Sequence, residues 1–271
     1  MSDGLYTRML GDHGSRVVLC HGLFGQGRNW TQVAKALAAD HRVLLVDMPD
    51  HGRSAWTEQF DYLAAAEQVA DLLADEPSAL VGHSMGGKVA MIAALARPDA
   101  VERLCVVDVA PVGYPDGSEF EGFVAAMRGL DLDALASRDD ADAALAPAVP
   151  DPTVRAFLLQ NLRREGDAWR WQLNLDVLGD DLDTIRGWPE DAVAAFEPYA
   201  GPVLWVAGQR SDYVRDDHAA TMERWFPRVR RVTVKDAGHW VHAEQPVVVV
   251  EVLRRFCRDA RKTDDSYELS D

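Results

Sequence analysis

Residues 79–95 hold an apolar strand-like run, Ala79-Leu80-Val81, then Gly82-His83-Ser84-Met85-Gly86, then an apolar helical run through Val89, Ala90, Ile92, Ala93, Ala94 and Leu95. Strand, abrupt turn and helix follow one another with no spacer. A turn that tight strains the backbone of its middle residue, so the residues two places away must be small. Gly82 and Gly86 meet that demand. The helix that follows aims its first free amides back at Ser84, where they can hold negative charge.

The same alternation recurs along the chain. Strand-like runs are expected at Arg16–Cys20, Arg42–Asp47, Ala79–Val81, Arg103–Val109, Val203–Ala207 and Arg231–Val234. Helical patterns are expected at Trp30–Ala39, Asp61–Ala74, Met85–Ala96, Asp216–Phe226 and Pro246–Arg258. Near-continuous apolar strands are covered on both faces, and strands alternating with helices give a mostly parallel, doubly wound sheet. The alternation stops between about Val112 and Pro198. That stretch reads as helix-rich, broken at Asp131, Pro147, Pro150-Asp151-Pro152 and Gly166-Asp167. It is expected to be a helical cap inserted over the carboxyl ends of the strands, where such sheets bind ligands. The division is therefore a core of residues 1–111 and 199–262, a cap of 112–198, and a loose polar tail of 263–271. Most of the cap's aromatics (Phe120, Phe123, Phe157, Trp169, Trp171, Trp188) are expected to pack its own core. Two full strands cannot be placed before Arg16.

Composition narrows the partners. The chain has 271 residues and a formal net charge of −16. A surface so acidic repels phosphate backbones and anionic lipid heads, so neither nucleic acid nor a membrane is an expected partner. The apolar runs are too short to span a bilayer and no signal peptide is visible, which makes the cytoplasm the expected location. Three scattered cysteines give neither a disulfide framework nor a metal-ligand spacing. Cys20 and Cys105 fall in apolar strands and are expected as buried thiols. No metal or cofactor is called for. The chain could act as a monomer or a homodimer.

Ser84 needs a base, and the base needs an orienting group. His239 follows the last strand-like run through the turn Asp236-Ala237-Gly238, and the chain order Ser84 then His239 suits the arrangement. His242 is expected to support that loop. For the acid, two aspartates compete. Asp212 follows the run Val203–Ala207, but one residue later than a Gly-x-x-Asp turn would place it, because Ser211 takes that spot. Asp108 closes an apolar strand, where a carboxylate without a partner would be costly. Asp108 is preferred and Asp212 is the alternate. Amides of Leu23, in the Gly-rich turn His21-Gly-Leu-Phe-Gly25, and of Met85 are expected to hold the oxyanion. His21 is expected to brace that turn. Phe24, His83, Trp240 and Trp188 are expected to line the substrate pocket.

These residues resemble a known family. His21-Gly-Leu-Phe-Gly25 with Asn29-Trp30, Asp47-Met-Pro-Asp-His-Gly-Arg-Ser54, Val81-Gly-His-Ser-Met-Gly-Gly-Lys88, Val107-Asp-Val-Ala-Pro111 and Ala237-Gly-His-Trp-Val-His-Ala-Glu244 are similar to the α/β-hydrolase superfamily. Within it they resemble small YbfF-like esterases and their mitochondrial abhydrolase relatives, over roughly residues 5–260. The resemblance implies an α/β-hydrolase fold and hydrolysis of short acyl esters, and sometimes thioesters, without a cofactor. The partner is then a small acyl ester. It also implies the acid at the end of the family's sixth strand, Asp108. Relatives usually carry Arg-Asn-His-Gly where this chain has Pro49-Asp50-His51-Gly52, which suggests an acid near the pocket mouth in place of a cation. The same serine could instead pass its acyl group to an alcohol or thiol, or serve a slow ligand sensor.

Overall fold

A computed structural model describes residues 4–116 and 118–258; the tail expected over 263–271 lies outside them. Its strands are β1 (Thr7–Leu10), β2 (Arg16–Cys20), β3 (Arg42–Val46), β4 (Ser78–His83), β5 (Val101–Val107), β6 (Leu162–Glu165), β7 (Ala168–Trp171), β8 (Val203–Gly208) and β9 (Val229–Val234). Seven of them form one sheet in the order β1-β3-β2-β4-β5-β8-β9. Only β1 runs antiparallel, on β3; the other neighbours pair in parallel.

The helices are α1 (Thr31–Leu37), α2 (Tyr62–Asp71), α3 (Met85–Ala96), α4 (Ser118–Arg128), α5 (Arg138–Leu145), α6 (Pro152–Leu159), α7 (Leu175–Asp180), α8 (Leu182–Arg186), α9 (Glu190–Val193), α10 (Ala219–Trp225), α11 (Val241–Glu244) and α12 (Pro246–Cys257). Alternate residues of β2 face opposite cores. Val17 and Leu19 pack in the core that holds residues of α1 and α12, and Val18 and Cys20 in the core that holds residues of α2 and α3. Both sets are buried, which is why the strand reads as an unbroken apolar run. Cys20, Cys105 and Cys257 are free and buried.

The topology decides where a site can form. From β2 the chain crosses to β3 on one side, then returns past β2 to β4 on the other. Loops leaving β2 and β4 therefore diverge and open a crevice at the carboxyl edge of the sheet. The turn Gly22–Gly25 leaves β2 there, and Ser84 leaves β4.

Among the described residues, six α-helices, a short 3-10 turn and a hairpin lie between β5 and β8. The hairpin β6–β7 departs from the helix-rich reading: Gly166, at φ 62°, forms its turn rather than a break between helices. Asp151 and Pro152 start α6 instead of a loop, with the Asp151 carboxylate accepting from the Thr153 and Val154 amides. Buried Lys88, one turn beyond Ser84, donates through Nζ to the carbonyls of Arg186 (2.6 Å) and Gly187 (2.5 Å). Tyr62 donates to the Ile185 carbonyl at 2.6 Å. These bonds fasten the end of α8 to the sheet's own helices.

Candidate active site

Ser84 sits between β4 and α3 with φ 52° and ψ −122°, outside the regions a non-glycine residue prefers. Its neighbours make that conformation possible. A Cβ on Gly82 would lie 2.2 Å from the Gly86 carbonyl oxygen, and one on Gly86 would lie 2.3 Å from that of His21. Both are backbone atoms that cannot step aside, so the two glycines are required by contact as well as by the turn.

Three side chains from three loops meet at Ser84. His239, past β9, places Nε2 3.0 Å from the Ser84 hydroxyl. Its Nδ1 lies 2.8 Å from Oδ2 of Asp108, just past β5. A carboxylate only accepts, so Nδ1 carries the proton and Nε2 is left bare to accept from the serine. Asp108 is wholly buried, at φ 53°. It also accepts from the Gly208 amide at 2.9 Å and from the Ser211 hydroxyl. Ser211, which stands where a Gly-x-x-Asp turn would carry its aspartate, thus donates to Asp108 instead. Asp212, the alternate, is exposed and takes no part in this chain of bonds.

Two residues that the sequence did not single out hold the imidazole in place. The Tyr213 ring stacks on it at 4.0 Å between centroids, 21° from parallel. Burial pushes the Tyr213 phenol up to about 12, so the ring stays neutral. The Tyr114 hydroxyl donates to the Tyr213 carbonyl at 2.7 Å. His83 donates from Nε2 to the His239 carbonyl at 2.8 Å, so its polar edge fixes the base's backbone while its ring stays in the cavity wall.

The turn after β2 is braced from behind. His21 donates from Nδ1 to the Gly22 carbonyl (2.8 Å) and accepts at Nε2 from the Met48 amide (2.9 Å), as expected of a bracing residue. His51 accepts from the Phe24 amide at 3.1 Å. Among the described residues, the Leu23 and Met85 amides donate to no protein acceptor. His242 stacks on Trp30 at 4.2 Å, consistent with loop support, and its Nδ1 has no partner.

A cavity of about 330 Å³ opens on Ser84 and His239. Phe24, His83 and Trp240 line it. Phe120, Phe123 and Phe157 line it too, so aromatics expected to fill the insertion's own core divide between cavity wall and packing. Trp188 is a correction: it packs against the hydrophobic core and faces no part of this cavity. Asp50 is another. It does not stand at a mouth; its fully buried carboxylate accepts from the Thr57 amide (2.7 Å), the Thr57 hydroxyl (2.8 Å) and the Asn174 amide group (2.9 Å). Asp50 thus ties the loop after β3 to the segment between β5 and β8. Among the described residues, no cluster of three or more His, Cys, Asp or Glu is placed to hold a metal ion. No helix among them is long and apolar enough to cross a membrane.

Residues 15–246 match the family model described as alpha/beta hydrolase fold. The chain belongs to the α/β-hydrolase fold family. This α/β hydrolase is 41% identical over 249 residues to the mouse protein named sn-1-specific diacylglycerol lipase ABHD11, covering 89% of this chain and 80% of the mouse one. It is 34% identical over 248 residues to Esterase YbfF of Escherichia coli, covering 90% and 94%. A solved structure titled Marine microorganism esterase superposes with a TM-score of 0.89 at 31% identity, over 94% of this chain and all of that one. The resemblance to YbfF and its abhydrolase relatives therefore holds across the chain.

Four buried histidines make this α/β hydrolase acid-sensitive. Burial holds His21 and His83 well below 6.5, His51 below it, and His242 down at about 3. Each stays neutral in the fold while the unfolded chain takes up a proton below about 6.5, so stability is present above that pH and falls as pH drops through it. Stability is therefore expected to fall between about pH 7.5 and 5.5. Denaturant midpoints at the two pH values check this; a flat profile contradicts it.

Proposed function

We propose that the protein is a serine carboxylic-ester hydrolase that works through an acyl-enzyme. The observation that carries this is the hydrogen-bonded series Ser84–His239–Asp108 opening on an apolar cavity. Ser84 Oγ attacks the ester carbonyl while His239 Nε2 takes its proton. Asp108 holds the tautomer that leaves Nε2 free and stabilises the imidazolium that forms. Leu23 and Met85 amides receive the oxyanion, each contributing about 3 kcal/mol to the barrier's stabilisation. The alcohol leaves with the proton from His239. Water, activated by the same imidazole, then frees the acid. Residues 112–198 act as the cap that supplies Phe120, Phe123 and Phe157 to the acyl chain. The esterase and lipase names of its relatives support ester substrates.

The acyl group lies in the apolar cavity, whose size admits a short to medium chain. Each methylene buried there contributes about 0.8 kcal/mol, about fourfold in kcat/KM while room remains. A p-nitrophenyl ester panel tests this: kcat/KM is expected to rise about fifteenfold from acetate to butyrate and to fall again for long chains. Added ethanol separates hydrolysis from acyl transfer. Free acid as the main product supports hydrolysis, whereas ethyl ester as the main product contradicts it.

A further inference from the structure

A second cavity, of about 390 Å³, lies on the other side of the loop that follows β2. Gln26, Gly27 and Arg28 of that loop face it, while Gly22–Gly25 and Asn29 face the Ser84 cavity. Five arginines line it: Arg8 on β1, Arg28, Arg53, and Arg163 and Arg164 on β6. Two carboxylates line it as well. Asp47 accepts from the Gly27 amide (2.7 Å) and the Arg53 amide (3.0 Å), and Glu165 lies 3.5 Å from Arg170.

This concentration of cations stands out in a chain of net charge −16. Among the described residues, Arg8, Arg28, Arg53 and Arg163 have no carboxylate within ion-pair distance. Their polar contacts are to neutral groups. Arg28 donates to the Gln160 carbonyl (2.6 Å), Arg53 to the Tyr6 hydroxyl (3.0 Å) and Arg163 to the Gln172 side chain (2.9 Å). Each such contact uses one of five guanidinium N–H groups. The cations also repel one another. Partial desolvation, then the charges of Arg163 and Arg138, hold Arg28 below its ordinary value. Desolvation, then Arg138 and Arg53, do the same to Arg163. Five guanidinium groups against two carboxylates leave this recess with an excess of positive charge, which a bound anion relieves, and guanidinium forks match phosphate oxygens in pairs.

We propose that this cavity binds a small phosphate-bearing ligand. Its volume exceeds what a lone phosphate needs and falls within the range of small-molecule sites. A free ligand suits it better than a phospholipid surface, because the rest of the chain is acidic and the arginines line a recess. The inference is independent of the chemistry assigned to Ser84.

Titration calorimetry of the full chain with inorganic pyrophosphate, at about 50 mM salt, tests it. One saturable site is expected, weakened about tenfold or more in the Arg28→Gln/Arg163→Gln protein and in Arg53→Gln, with Arg224→Gln, on α10, unaffected. The variants' thermal melts and p-nitrophenyl butyrate turnover are expected to match wild type, which separates loss of the site from loss of the fold. Absence of saturable binding, or wild-type affinity in both variants, overturns the proposal. Citrate binding more tightly than pyrophosphate overturns the phosphate class. Co-sedimentation with phosphatidylglycerol vesicles that the double variant loses overturns the free ligand in favour of a membrane surface.

Discussion

The Ser84→Ala protein is expected to fold and to turn over p-nitrophenyl butyrate about 10⁵-fold more slowly than wild type, or worse. The change removes the hydroxyl that lies 3.0 Å from His239 Nε2. It leaves the turn intact, because alanine carries the same backbone burden at φ 52° as serine does. The lost hydroxyl–imidazole bond costs about 1 kcal/mol of stability, which a denaturant melt would register as a small shift. The cavity and the amides of Leu23 and Met85 remain, so substrate still binds and the loss falls on kcat rather than KM. Activity within tenfold of wild type contradicts Ser84 as the nucleophile.

Replacing the acid has the next largest effect. Asp108→Asn is expected to lower kcat about 10⁴-fold with little change in KM. An amide group facing Nδ1 can donate to it, which moves the imidazole proton to Nε2 and points it at the serine. The base then cannot accept. Position 108 is wholly buried, and its side chain also takes the Gly208 amide and the Ser211 hydroxyl, so the asparagine is held in place rather than swung clear. Asp212→Asn alters an exposed side chain and is expected to stay within about twofold of wild type. If Asp212→Asn collapses activity and Asp108→Asn does not, the acid is misassigned.

The strand–turn–helix around Ser84 could be read directly because its constraints are local: glycines two residues either side, an apolar strand before, an apolar helix after. Asp108 was readable for a different reason. A carboxylate in an apolar strand must have a partner, and the structure supplies three, one of them Ser211 from the very turn that lacks an acid. What escaped the sequence depends on distant contacts or on weak local pattern. The edge strand β1 is four residues long and half-exposed, with no clear alternation of apolar and polar. The hairpin β6–β7 reads Leu-Arg-Arg-Glu and Ala-Trp-Arg-Trp, too charged and short to signal strands. Asp50 looks like an acid at a pocket mouth until Asn174, 124 residues away, folds against it. Which aromatics between β5 and β8 face the cavity depends on how the helices there lie, so Phe157 lines the cavity while Trp188 does not. Tyr213 reaches His239 only because the loops after β8 and β9 come together, with Gly208 so close to Gly238 that a Cβ would lie 2.1 Å from its carbonyl oxygen.

The central claim is that Ser84 carries the acyl group between its two halves of chemistry. Acid-quenching the protein during turnover of p-nitrophenyl butyrate, digesting it and measuring peptide masses tests this directly. A single butyryl group on the peptide containing Ser84, absent from the Ser84→Ala protein, is the expected result. Butyryl groups on another residue, or an unmodified Ser84 peptide in an enzyme whose p-nitrophenol release shows a pre-steady-state burst, would contradict it.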